Sequence, residues 1–216
     1  MPEVTLANET DSRSRIMGAA RRVFAERGFD GATVREITDA AGVNTAAVNY
    51  YFRSKDELIR SVFEEGLKPI IAARIGALEE CVRHAGDRPP TLEALSEALV
   101  RPLVELSSGE YRDVMVLLMH TRTVTKKTTA AIVVEQFTPV HERFVNVLET
   151  VLPHLSRPEI ALRYDCARGA TLQTLVDLAP AAALVSGVAA EERTNREVLV
   201  RRLVAFVCAG FRAPPA

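Results

Sequence analysis

The chain of 216 residues has few of the features that mark exported or membrane proteins. Its three cysteines, Cys81, Cys166 and Cys208, are odd in number and widely spaced, which argues against a disulfide framework and for free thiols in a reducing compartment. No run of about 20 apolar residues exists, so we expect no membrane span. The first residues, MPEVTLANETDS, lack the basic start and apolar core of a secretory signal. These absences predict a cytoplasmic protein.

Patterns that would indicate catalysis are absent as well. The chain has no nucleophile motif and no glycine-rich loop of the kind that binds phosphate. Cys81 and His84 form one isolated C-x-x-H pair, whereas a zinc site would need two such pairs. An enzyme is therefore the weaker alternative, and we expect no catalytic residue, no metal ion and no cofactor.

Apolar residues recur at helical spacing along the chain, and no strand pattern or internal repeat stands out. They make up 48% of the composition, which suffices for a buried core and excludes wholesale disorder. We predict an all-α fold of about nine helices, in which Pro69 kinks or breaks the fourth helix and Pro139 interrupts the seventh. The predicted helices span residues 12–27, 34–41, 45–51, 54–84, 91–106, 110–120, 127–152, 157–178 and 192–211.

The densest set of helix signals lies in residues 33–57, which read TVREITDAAGVNTAAVNYYFRSKDE. Thr33 and Glu36 have the spacing of a capping box, which starts a helix by satisfying its free N–H groups. Gly42 ends this helix, because glycine turns sharply there without steric cost. The pattern predicts a helix that is followed at once by a tight turn.

A second, shorter helix follows the turn. Asn44 is placed to cap a helix from Thr45 to Tyr51, and Ser54 with Glu57 forms another capping box that opens the next helix. A helix, a glycine turn and a short helix form the arrangement that puts a helix into the DNA major groove. We therefore predict a helix-turn-helix.

Residues around this pattern extend it at fixed spacings. They are Phe24-Ala25-Glu26-Arg27-Gly28-Phe29, Thr33, Ile37, Ala40-Ala41-Gly42-Val43, Tyr50-Tyr51-Phe52 and Ser54-Lys55. Together they resemble the DNA-binding domain of TetR-type transcriptional repressors. The alternative is an ordinary helical bundle with well-capped short helices. The resemblance implies an N-terminal three-helix DNA-binding domain, residues 1–56, and a C-terminal helical ligand-binding and dimerisation domain, residues 57–216.

The charge distribution supports contact with nucleic acid at the N-terminal end. From Ser12 to Lys55 the chain has eight basic and four acidic residues, which give a net charge of +4. The rest of the chain must then carry −5, because the whole has a net charge of −1. A basic end on an acidic body can approach phosphate while the body stays away from it.

The second helix of the motif should read DNA with its outer face, since its inner face leans on the two helices before it. Asn49 is suited to pair with adenine, and the family often has a tyrosine at its position, which indicates a changed base preference. Lys55 and the Tyr50 hydroxyl are suited to phosphate. For each position the alternative is a solvated or capping role. The predicted DNA contacts are Arg13, Arg15, Thr33, Arg35, Asn44, Thr45, Ala46, Asn49, Tyr50 and Lys55.

For the remaining helices, the resemblance implies a ligand pocket and a homodimer interface. The alternative for both sets of apolar residues is burial in the core of the chain. The predicted pocket residues are Met115, Leu118, Met119, His120, Arg122, Phe137, Val140, His141 and Phe144. The predicted dimer contacts are Leu172, Leu175, Val176, Leu199, Leu203, Phe206 and Val207.

The sequence thus predicts a dimeric repressor that binds a palindromic operator in double-stranded DNA and is released by a small apolar effector. The phrase GVNTAAVNYYFRSKDELIRSVF resembles a subgroup of the family that responds to long-chain fatty acids or their CoA esters. Two alternatives remain open. One is a drug-responsive repressor of an efflux gene, and the other is a DNA-binding protein that has no ligand.

Overall fold

The computed structural model describes residues 3–108, 110–121, 127–176 and 195–215. Within these ranges it contains nine helices and no strand, which confirms the predicted all-α fold. The helices are α1 (Glu3–Gly31), α2 (Val34–Ala41), α3 (Ala46–Phe52), α4 (Lys55–Ala85), α5 (Leu92–Glu105), α6 (Glu110–His120), α7 (Lys127–Val151), α8 (Arg157–Val176) and α9 (Arg196–Arg212). No helix of the described part is long and apolar enough to cross a membrane.

Two compact units make up the chain. Unit 1 comprises Met1–Lys68 with Asp113–Val134, and unit 2 comprises Pro69–Arg112 with Glu135–Ala216. The division falls inside α4 at Pro69. The domain boundary between residues 56 and 57 stays a prediction.

Four helices differ from their predicted course. α7 runs through Pro139 without interruption, and α9 begins at Arg196, after its N-cap Asn195, and not near Glu192. α1 begins at Glu3 and not near Ser12, because no glycine or proline interrupts this stretch. α4 does not break at Pro69. The proline removes one backbone donor, but the neighbouring Leu67 and Ile70 are fully buried, and their packing holds the helix together.

The core of unit 1 is built around three phenylalanines. The Phe29 ring lies 5.6 Å from the Phe24 ring and 5.6 Å from the Phe63 ring, and all three side chains are buried. Gly28, which has φ 70° and ψ 172°, interrupts α1 just before Phe29 and turns the chain out of the helix there. This left-handed φ favours glycine. The cluster joins α1 to α4.

Unit 2 is organised around α5, whose residues are mostly buried. α9 packs against both α5 and α8. The contact includes a buried hydrogen bond in which Cys208 Sγ donates to Ser96 Oγ at 3.2 Å. The C-terminal helix is therefore part of the core of unit 2.

Gly66 marks a close approach of α4 and α6 inside unit 1. A Cβ at this position would lie 2.7 Å from Cγ2 of Val114, which is fully buried. We expect Gly66→Ala to lower the free energy of unfolding by about 1–3 kcal/mol, because the inserted methyl overpacks the core. Urea unfolding followed by circular dichroism measures this change.

Gly76 provides the matched control on the same helix, since nothing lies within 4 Å of a Cβ placed there. Gly76→Ala should stabilise the chain by roughly 0.5–1 kcal/mol, through helix propensity alone. Shortening Val114 to alanine in the Gly66→Ala background should recover part of the loss. Equal effects of the two glycine substitutions would contradict the steric explanation.

Candidate nucleic-acid interface

The turn between α2 and α3 is closed by glycine. Gly42 has φ 63° and ψ 40°, in the left-handed region. Its N–H donates to the carbonyl of Asp39 at 3.2 Å, and the N–H of Val43 donates to the carbonyl of Thr38 at 3.0 Å. This pair of bonds is the glycine-dependent helix stop that the sequence indicated.

The start of α2 has the predicted capping box. The N–H of Glu36 donates to Thr33 Oγ1 at 3.2 Å, and the N–H of Thr33 donates to Glu36 Oε2 at 2.9 Å. The bonds that the N–H and the hydroxyl of Thr33 donate to the Glu36 carboxylate lower its pKa, and the Arg27 guanidinium, 2.9 Å from Oε1, lowers it further. The Thr33 hydroxyl also donates to this carboxylate at 2.9 Å, so its first role is structural.

Asn44 bonds to the start of α3, although the N-cap residue directly before the helix is Thr45, whose side chain makes no capping bond. Asn44 Oδ1 accepts a hydrogen bond from the N–H of Ala46 at 2.9 Å. The helix runs from Ala46 to Phe52, one residue later than predicted. At the next helix start, the N–H of Glu57 donates to Ser54 Oγ at 3.1 Å, which is one half of the predicted box. The other half is absent, because the N–H of Ser54 donates to the carbonyl of Phe52 at 2.6 Å.

α3 has one buried face and one exposed face. Val48 and Phe52 are buried in unit 1, and Ala47 and Tyr51 are half-buried. The structure places five of the predicted DNA contacts on the exposed side; they are Asn44, Thr45, Ala46, Asn49 and Tyr50. The exposed surface thus offers a continuous set of amide, hydroxyl and methyl groups.

The predicted basic contacts divide into two groups. The Arg35 side chain is 87% exposed, and its Nε lies 3.9 Å from Oδ2 of Asp39. Arg13 lies over the Phe52 ring and binds Glu65, while Arg15 Nη2 donates to the carbonyl of Ala41 at 2.6 Å. These two arginines of α1 therefore stabilise unit 1 itself, and their DNA contacts stay predictions.

Lys55 also has a structural bond. Its Nζ donates to the carbonyl of Ala32 at 2.5 Å, which ties the start of α4 to the segment before α2. The sequence analysis gave no role to Arg53, an exposed residue that has φ 63° at the end of α3. A side chain rarely adopts this left-handed φ, and such strain often accompanies function. Its position, directly after Tyr51 and Phe52 and directly before the helix-capping Ser54, could have indicated a role.

The seven predicted dimer contacts are mostly internal. Leu172, Leu175, Leu199, Leu203 and Val207 are buried within the single chain, because α9 packs on α5 and α8. Their apolar faces are thus already covered. Val176 is half-buried and Phe206 is 63% exposed.

The predicted pocket residues fall in both units. In unit 1, Met115 and Leu118 are buried, and Met119 and His120 are half-buried. In unit 2, Val140 and Phe144 are buried, and Phe137 and His141 are half-buried. Arg122 lies outside the described residues. The assignment of these residues to a pocket stays a prediction.

An arginine that the sequence analysis overlooked lies in the core of unit 2. The side chain of Arg74 on α4 is 1% exposed, and its Nη2 donates to Tyr164 Oη at 2.6 Å. The guanidinium lies 5.3 Å from the centre of the Phe144 ring, and its Nε has no hydrogen-bond partner. In the described part of the chain no carboxylate pairs with it. Its spacing of four residues from Ile70 and from Leu78 could have revealed it.

Two predicted pocket residues lie against Tyr164, the hydrogen-bond partner of this arginine. The rings of His141 and Phe144 lie 5.0 and 5.7 Å from the ring of Tyr164. Burying an ion costs several kcal/mol, and a desolvated cation–π contact returns only about 2 kcal/mol. Arg74, His141, Phe144 and Tyr164 together are called the Arg74 cluster. Its buried charge lowers the stability of unit 2.

A separate groove of about 490 Å³ lies between α4 and α5 in unit 2. It contains Cys81 and His84, the isolated pair noted above. Burial raises the pKa of the Cys81 thiol, and the nearby Glu97 carboxylate raises it further. No cluster of three or more metal-ligating side chains occurs among the described residues. Arg101 on the wall of the groove is held by Glu97 and Glu197.

Comparisons with known proteins assign the chain to a family. A family model described as bacterial regulatory proteins, tetR family, matches residues 16–62. A second, described as tetracyclin repressor-like, C-terminal domain, matches residues 97–210, which is more than half of the chain.

Individual proteins agree with these matches. The chain is 36% identical to the HTH-type transcriptional repressor Rv1474c of Mycobacterium tuberculosis over 80 residues, which cover 36% of this chain and 43% of that repressor. It is 32% identical to the repressor KstR2 of Rhodococcus jostii over 94 residues, 44% of each protein. The match thus spans less than half the length of these relatives.

The fold extends over nearly the whole chain. A TetR-like transcriptional regulator from Rhodococcus sp. RHA1 superposes with a TM-score of 0.67 at 18% identity, and the match covers 94% of this chain and 97% of that one. This likeness shows the fold, and the two family models, one of which matches more than half of the chain, show the family. The chain belongs to the TetR family of bacterial regulatory proteins.

Proposed function

We propose that the chain is a sequence-specific DNA-binding repressor. One observation carries this proposal: α3 buries Val48 and Phe52 on one face and exposes Asn49 and Tyr50 on the other, after a glycine-closed turn. A helix held in this way can enter the major groove as a rigid body. The names of the curated relatives, both transcriptional repressors, support the same conclusion.

Each exposed group has a distinct chemistry toward DNA. The Asn49 amide can donate to N7 and accept from N6 of one adenine, and the methyl groups of Thr45 and Ala46 suit a thymine methyl. The Tyr50 side chain is 71% exposed, and its hydroxyl suits a phosphate oxygen. Arg53, at the end of the same helix, adds a charge for the adjoining phosphate. These groups combine base reading with positioning on the backbone.

We also propose that the chain acts as a homodimer on a palindrome whose half-sites lie about one helical turn apart. Single helix-turn-helix units read few bases, and a two-fold dimer doubles the contact. Two large apolar side chains of α8 and α9 support this, because Leu162 and Phe206 are 60% and 63% exposed. As candidate dimer contacts, these two residues replace the five predicted ones that are buried in the core of unit 2.

The proposed control is a small apolar effector that releases the operator. A ligand can do so only if it binds a DNA-free state more tightly than the bound state. Fatty acids or acyl-CoA esters are the leading class. Release by apolar drugs instead would indicate a repressor of an efflux gene, and release by no compound would favour a DNA-binding protein without a ligand.

Selection of bound duplexes from a random pool tests the DNA-binding function, and two variants then separate reading from positioning. Asn49→Ala should cost about 1–3 kcal/mol on the selected site and relax the base choice there. Lys55→Met should weaken all sequences alike, because a phosphate contact carries no base information. Titrations of the selected and scrambled duplexes measure both effects.

Asn146→Ala serves as the matched control, since Asn146 is an exposed asparagine of unit 2 bonded to Arg157. It should leave DNA affinity unchanged. No preference for any duplex in the wild type would refute the proposed function. Equal losses on every sequence for Asn49→Ala would refute only its assignment as a base reader.

A further inference from the structure

The Arg74 cluster of unit 2 holds a positive charge that no described carboxylate neutralises. Arg74 is 1% exposed, and one of its donors, Nε–H, is buried without an acceptor. Buried donors are satisfied in the great majority of cases, and an exception calls for an explanation. An anion that binds this position and then leaves would explain both the charge and the orphaned donor.

We propose that Arg74 and Tyr164 bind the carboxylate of the effector, which makes the effector an apolar carboxylic acid. This inference rests on the proposed effector-controlled function and names the chemistry that the effector must have. Nothing in the comparisons assigns a role to either residue.

The cluster has enough donors to bind a carboxylate. A guanidinium is planar, and its Nε–H and an adjacent Nη–H point the same way, so that they reach both oxygens of one carboxylate. Tyr164 Oη accepts from Arg74 Nη2 at 2.6 Å, which leaves the phenolic proton free to turn toward the same anion. Three donors can then converge on two oxygens.

The surroundings favour an apolar body on this acid. Phe144 is fully buried beside the guanidinium, and its ring has no hydrogen-bonding group to offer a ligand. His141 lies edge-on to Tyr164 and is only half-buried, so it is the member of the cluster nearest to solvent by exposure. An effector whose only strong polar group is its carboxylate fits this lining.

A purely structural arginine is the competing explanation, in which the Phe144 and Tyr164 rings stabilise the charge. The two explanations differ in what Arg74→Met does to the unliganded protein. If the charge serves a ligand, an apolar side chain of similar length removes a buried unpaired ion, and the melting temperature should not fall. A structural guanidinium would lower the melting temperature when it is removed.

Calorimetric titration of the full chain without DNA tests the proposal, with dodecanoate, 2-naphthoate, dodecan-1-ol, dodecylamine and dodecyl phosphate as probes. We expect the wild type to bind at least one carboxylate more tightly than the alcohol and the amine. Arg74→Met and Tyr164→Phe should weaken that carboxylate, Arg74→Met by about 10- to 100-fold. Arg143→Met, which removes an exposed arginine paired with Glu79, should bind as the wild type does.

Three results would overturn the proposal: no binding of either carboxylate, equal binding of carboxylate and alcohol, or a tighter complex with dodecyl phosphate. Should Arg74→Met fail to fold, Arg74→Lys keeps the charge but loses the planar fork, and full carboxylate affinity in Arg74→Lys and Tyr164→Phe would overturn it equally. The titration needs no operator. A protein that binds the acid but selects no duplex would retain this site and refute the proposed repressor function.

Discussion

Phe29→Ala will unfold the helix-turn-helix unit under conditions in which the wild type is fully folded. The side chain is 1% exposed, and its ring lies between those of Phe24 and Phe63. Truncating a buried phenylalanine costs about 3–5 kcal/mol, because contacts with both rings are lost and a cavity remains. Domains of this kind are stable by only about 5–15 kcal/mol, so the loss is a large share of the total.

Urea unfolding followed by circular dichroism measures the loss, and a mobility shift reports DNA binding by the same sample. Phe29→Leu is the matched control, since it keeps an apolar side chain and leaves a smaller cavity. It should lose less than half as much as the alanine variant. A loss below about 1 kcal/mol for Phe29→Ala would mean that the three rings are not the centre of the unit.

The local order of the helix-turn-helix was readable from the sequence because its determinants act over three to six residues. Thr33 bonds to Glu36, Gly42 and Val43 bond back to Asp39 and Thr38, and Asn44 bonds to Ala46. Each of these contacts is fixed by spacing alone. For the same reason the residues on the exposed face of α3 were predicted correctly, even though the helix starts one residue later than predicted.

The partners of long-range contacts were not readable. The apolar spacing of α9 shows that one face is covered, but it does not show whether α5 or a second copy of the chain covers it. Arg74 and Tyr164 are 90 residues apart, and no local pattern joins them. A charge count likewise gives +4 for the N-terminal end but does not reveal that Arg13 binds Glu65. Apolar periodicity shows which face of a helix is buried, and only the folded structure shows which element covers that face.

Raising the salt concentration from about 50 to about 200 mM will weaken operator binding by about 10³-fold. The reason is counterion release, which depends on how many phosphates the protein neutralises. Arg35 and Arg53 are exposed near the two ends of the helix-turn-helix. Lys55, two residues after Arg53, is half-buried. Three such residues in each subunit of a dimer would neutralise about six phosphates, for a slope of roughly −5 in log K against log salt.

Arg35→Met should reduce the slope to roughly −4, because a dimer then makes two fewer phosphate contacts. Arg35 is the clearest choice for this measurement, since its side chain is 87% exposed and no buried contact is lost with it. Arg143→Met is the control, because Arg143 pairs with Glu79 in unit 2 and should leave the slope unchanged. Fluorescence anisotropy of labelled operator across the salt range gives each slope. A wild-type slope near zero would show that α3 does not meet DNA through the basic end of the chain, and an unchanged slope for Arg35→Met would remove Arg35 from the phosphate contacts.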